Sequence, residues 1–131
     1  MTRPSLILLF AILTSAAAIS HADELSTQNK KELTVFGLRA MGMKADVRDV
    51  KTLLSRPEIE KMVQAGLNLQ GRLCSKITNI RPPWNKEVKG IYRVTCITYT
   101  GRRETQHYFL DALQGISYDI HEYLSHLNIP Q

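Results

Sequence analysis

The chain has 131 residues, 44% of them hydrophobic and 22% charged, with 17 Lys and Arg against 12 Asp and Glu for a net charge of +5. That length supports one hydrophobic core and excludes a second large domain. The basic excess is mild and dispersed, with adjacent pairs at Lys30-Lys31 and Arg102-Arg103 alone. It therefore excludes the continuous cationic stripe of a dedicated nucleic-acid binder, and bears on solubility and attraction to acidic partners rather than on fold.

Residues 1–22 read as a secretory signal peptide that is cleaved. Arg3 is the basic start, Leu6 to Leu13 is an unbroken apolar run, and Ser20-His21-Ala22 places small residues where a signal peptidase reads them. The apolar run is well short of the roughly 20 residues a bilayer span needs, which favours cleavage over an uncleaved anchor. Cleavage after Ala22 leaves 23–131 as a single small domain with no later stretch apolar enough to span a membrane. No cysteine lies near the cleavage site, which excludes a bacterial lipid anchor there. Export changes the reading of Cys74 and Cys96: an even number of cysteines in an oxidising compartment favours a disulfide.

The N-terminal half reads as helical. Leu25 to Gly42 carries Leu33, Phe36 and Ala40 at helical spacing, although Thr34 to Leu38 also fits a strand. Asp46 and Asp49 place acids in a first helical turn, followed by Val47, Val50 and Leu54 at spacings of three and four. Ser55 and Glu58 then form a capping box around Pro57. Ile59, Met62, Val63 and Leu67 make one apolar stripe, and Gly66 reads as a stop.

After Gly71 the period changes to alternation. Arg72–Ile80, Ile91–Thr100 and Glu104–Leu110 read as strands. They are joined by the Pro-rich and Gly-bounded segment Arg81 to Gly90, and then by a short turn at Gly101-Arg102-Arg103. A hairpin centred near Asn85 sets Cys74 directly opposite Cys96, which would close the disulfide across neighbouring strands. The tail from Ile116 reads as a short strand or turn passing into a helix that ends by Pro130.

Catalytic patterns are sparse. His121 and His126 approach the zinc-protease helix motif but are five apart rather than four, with Ser125 where the second ligand belongs, so no metal site is expected there. His107 lies mid-strand without a recognisable nucleophile elbow, and there is no Gly-rich phosphate loop. No cofactor is implied. The best contact surface is the loop Arg81-Pro82-Pro83-Trp84-Asn85-Lys86, in which Trp84 is a rigid aromatic anchor between Arg81 and Lys86; Trp84 folding back over the end of the sheet is the alternative. Arg102 and Arg103 are expected to extend this loop into a basic rim.

From Gly66 to Ile120 the chain resembles the PepSY family of small extracytoplasmic domains. The likeness is carried by a helix ending near Ala65-Gly66, by Ile91-Tyr92-Arg93-Val94-Thr95-Cys96 and by Gly101 at the hairpin. Tyr108-Phe109-Leu110-Asp111-Ala112 with Gly115 looks like that family's final strand and Asp-Ala-x-x-Gly turn. The resemblance implies binding or inhibition of envelope proteases, or other extracytoplasmic regulation; the cysteine pair and the Pro-Pro-Trp loop are additions to the family's pattern. A cystatin-like sheet with a packed helix has a similar periodicity.

The expected fold is α+β: N-terminal helices packed on a three- to four-stranded antiparallel sheet, with a short C-terminal helix. The expected function is a non-enzymatic binding or regulatory module of the cell envelope whose partner is an envelope or secreted protein. The rivals are a small periplasmic hydrolase or metal-dependent enzyme using His107 or His121, and a structural subunit of an envelope complex.

Overall fold

Each helix begins where a short polar side chain can take up backbone donors that have no partner in the first turn. In a computed structural model that describes residues 25–82, 89–99 and 101–127, Ser26 caps α1 (Thr27–Ala40), Ser55 caps α2 (Arg56–Leu69) and Asp119 caps α3 (Ile120–His126). All three are reciprocal capping boxes, closed by Asn29, Glu58 and Glu122 respectively. The expected signal peptide at 1–22 lies outside the described residues, as do Trp84 and Lys86.

Four strands follow α2: β1 (Lys76–Arg81), β2 (Ile91–Tyr99), β3 (Arg103–Asp111) and β4 (Ile116–Asp119). They form an antiparallel meander in the order β1-β2-β3-β4, so β1 and β4 are the edges. The helical layer and one sheet face close over a core of Leu33 and Phe36 from α1, Ile59, Val63 and Leu67 from α2, and Ile77, Ile80, Tyr92, Val94, Cys96, Tyr108 and Leu110 from the sheet. This is the α+β arrangement read from the sequence, with four strands.

Two expectations in the helical half need correction. Gly66 does not stop α2; it lies buried inside the helix, where a Cβ would stand 2.8 Å from Phe36 Cε2 and 3.1 Å from the Ala40 Cβ. The turn comes at Gly71, in the left-handed region at φ +80°. Asp46 does not open a helix reaching Leu54. It opens a 3₁₀ turn at Val47–Asp49, closed by Asp49 Oδ2 accepting from the Asp46 backbone, after which Val50 is already extended.

β1 starts at Lys76 rather than Arg72, because α2 takes hold of the backbone ahead of it. Asn68 accepts from the Cys74 amide and donates to the Cys74 carbonyl, while Gln64 donates to the carbonyls of Cys74 and Ser75.

The disulfide forms, with Cα atoms 5.2 Å apart, but not between directly opposed strand residues. Cys96 pairs with Ile77, and Cys74 reaches it from the segment ahead of β1. The register also shifts between Ile77 and Asn79, where Thr78 is an extra residue in β1.

Candidate binding face

Strand alternation sends one set of side chains to the core and leaves the other on the opposite face of the sheet. On that outer face the register builds cross-strand rows. Arg81, Arg93, Phe109 and Tyr118 make one row; Asn79, Thr95 and His107 make the next; Lys76, Ile97 and Thr105 the third. Tyr99 opposite Arg103 ends the face at the β2–β3 turn.

The rows differ in character. Lys76, Arg81, Arg93 and Arg103 are exposed, and among the described residues none of them enters an ion pair. Thr95 and His107 are half-buried and bonded to each other, Oγ1 to Nδ1 at 3.1 Å. Ile97 is buried at the middle of the face. At the β4 side α3 folds over the sheet: Tyr123 stacks on Phe109 with ring centres 4.3 Å apart, and His126 stacks on Tyr118 at 5.0 Å. Burial raises the Asp111 carboxyl above its ordinary value there, against the lowering influence of the Gln114 amide and of His126.

Arg81 and Arg93 are directly opposed like charges, an arrangement that destabilises a strand pair unless something neutralises it. Asp111 is the one acid on the outer face among the described residues, and it sits at the far end of β3 opposite Ile91. Glu104 belongs to the other face and pairs with Arg102 at 3.1 Å in the turn.

Of the residues singled out from the sequence, Arg81 is therefore not brought together with Arg102 and Arg103 as one rim. Arg81 stands near the start of β2, opposite Arg93, whereas Arg103 stands opposite its last residue, Tyr99, and Arg102 lies in the turn beyond. At about 3.3 Å per residue the Arg93 and Tyr99 rows are roughly 20 Å apart. Sequence reasoning missed Arg93 and Lys76. Arg93 was detectable as an outward charge between Tyr92 and Val94, but its partner depends on the extra residue at Thr78.

Two other polar groupings are structural in character. Tyr92, fully buried, donates its hydroxyl to Glu32 Oε1 at 2.6 Å and accepts from Asn29 Nδ2 at 3.0 Å; Gln28 donates to the other Glu32 oxygen. Arg72 donates to the hydroxyl and carbonyl of Ser117 and pairs with Glu122 at 2.7 Å, tying the segment that follows α2 to β4 and α3. This second grouping borders an open groove of about 680 Å³ that also exposes His121 and His126. Among the described residues there is no cluster of three or more His, Cys, Asp or Glu able to hold a metal ion, and no helix is long and apolar enough to cross a membrane.

Comparison with family models, with curated proteins and with solved structures finds no match to this chain.

Proposed function

We propose that the chain is an exported, non-enzymatic binding module of the cell envelope that acts by surface complementarity on an envelope or secreted protein. The observation that carries this reading is a sheet face displaying four exposed cations that enter no ion pair among the described residues, on a scaffold closed by a disulfide. Such a face gains most from an external acidic surface, which speeds encounter and fixes orientation. Export is supported by the signal-like residues 1–22 and by a disulfide, which persists in oxidising compartments. The PepSY-like stretch from Gly66 to Ile120 agrees with a regulatory role toward an envelope enzyme.

The test is to express the tagged chain in its native cells, fractionate them and cross-link. The expected product begins after Ala22, has no titratable thiol and cross-links to a discrete envelope protein. An unprocessed chain in the cytosol with two free thiols would overturn export. A hydrolytic activity abolished by His107→Ala would overturn the non-enzymatic assignment.

A further inference from the structure

We propose that the outer sheet face receives an extended acidic segment of a protein partner, laid along β2. Its carboxylates meet Arg81 and Arg93 at one end and Lys76 and Arg103 toward the other. This rests on the binding-module reading and adds to it a place and a chemistry.

Three observations converge. First, two guanidinium groups face each other across β1 and β2 with no ion-pair partner among the described residues. A carboxylate is the group a guanidinium binds in bidentate fashion, and here it would also relieve the repulsion between the two. Second, the cations are spaced rather than continuous: Arg81 and Arg93 share one row, Asn79, Thr95 and His107 form a row without a formal cation, Lys76 comes next beside Ile97 and Thr105, and Arg103 stands at the end. A phosphate backbone or sulfated glycan, charged at every repeat, is served by a continuous cationic track. A peptide with spaced carboxylates needs charge only where its acids fall, and finds neutral hydrogen-bonding groups between. Third, the period matches: an extended segment presents alternate side chains about 7 Å apart, the same step as Arg93, Thr95 and Ile97 along β2. Six or seven residues would cover the roughly 20 Å between the Arg93 row and Arg103.

The experiment measures fluorescence anisotropy of a labelled peptide of four Glu-Thr repeats and of its Gln-Thr counterpart, using the disulfide-intact protein. The acidic peptide is expected to bind, more weakly as salt rises, and the Gln-Thr peptide not to bind. Arg81→Gln with Arg93→Gln is expected to weaken binding by about tenfold or more. Lys51→Gln with Lys61→Gln removes the same charge from exposed positions outside the sheet and is expected to leave it unchanged. Both strand positions are exposed and their substitution removes a repulsion, so the double variant should fold; circular dichroism checks this.

The proposal is overturned if the acidic peptide does not bind or if the two double variants lose affinity equally. It is also overturned if a polyphosphate of matched charge binds more tightly through Arg81 and Arg93. A cross-linked envelope protein retained by the Arg81→Gln, Arg93→Gln variant would overturn this site while leaving the binding-module reading intact.

Discussion

Tyr92 places a phenol wholly inside the core and satisfies it with one carboxylate and one amide from α1. The arrangement links helix to sheet through a polar contact whose members are costly to leave unpaired. Burial, then the hydrogen bond to Glu32 and its charge, hold the phenol well above its ordinary value. Burial also raises Tyr108 and Tyr123. Because the unfolded chain ionises first, near pH 10, this contribution to stability is complete below that pH and is lost as pH rises above it. Tyr92→Phe should lower stability by about 1–3 kcal/mol at pH 7, through the acceptor stranded on Glu32, and should make the alkaline decline shallower. Urea titrations at neutral and alkaline pH read both effects; a midpoint and slope equal to wild type would refute the role. No motif announces this pair: Glu32 and Tyr92 are 60 residues apart, and a Glu inside a helix reads from sequence as surface.

Among the elements, α1 and α2 owe their close packing to what is missing at Gly37 and Gly66. A Cβ at Gly37 would collide with the Met62 side chain, and one at Gly66 would press on Phe36. Alanine normally favours a helix interior over glycine by about 1 kcal/mol. Here overpacking costs about 1–3 kcal/mol, so Gly66→Ala should be destabilised by a net amount on the order of 1 kcal/mol. A gain in the guanidinium midpoint would show the helices free to separate. The start of α2 was legible because Ser55, Pro57 and Glu58 are local signals that act within one turn. The role of Gly66 was not, because glycine as a stop and glycine as a close approach look alike until the partner helix is known. The stretch from Asp46 to Leu54 failed for a related reason. Its spacing is helical, but the reciprocal bonds of Asp46 and Asp49 complete a single turn and Val50 then leads away.

For the molecule as a whole, the disulfide joins the segment held by α2 to a central strand, closing a sequence separation of 22 residues. Replacing both cysteines by alanine should cost about 3 kcal/mol in the chain-entropy picture, read as a lower thermal midpoint; an unchanged midpoint would mean the unfolded chain is not restrained by it. The pairing was legible from the even cysteine count and the expected export, but its geometry was not, since a one-residue irregularity in β1 is invisible to a period-two pattern. The same irregularity hid the cationic face, whose members come from three strands and meet through register alone. Thr78, the surplus residue, interrupts the register of a strand that has no neighbour on its far side among the described residues, and its hydroxyl donates back to the Thr95 carbonyl at 3.3 Å. Deleting Thr78 would leave Ile77, Asn79, Ile80 and Arg81 on their present faces in a straight ladder, with a flatter border open to a second copy. The deletion variant should therefore fold yet associate with itself more than the parent as its concentration rises, visible by light scattering; scattering equal to the parent's would show that the supernumerary threonine does not guard this border.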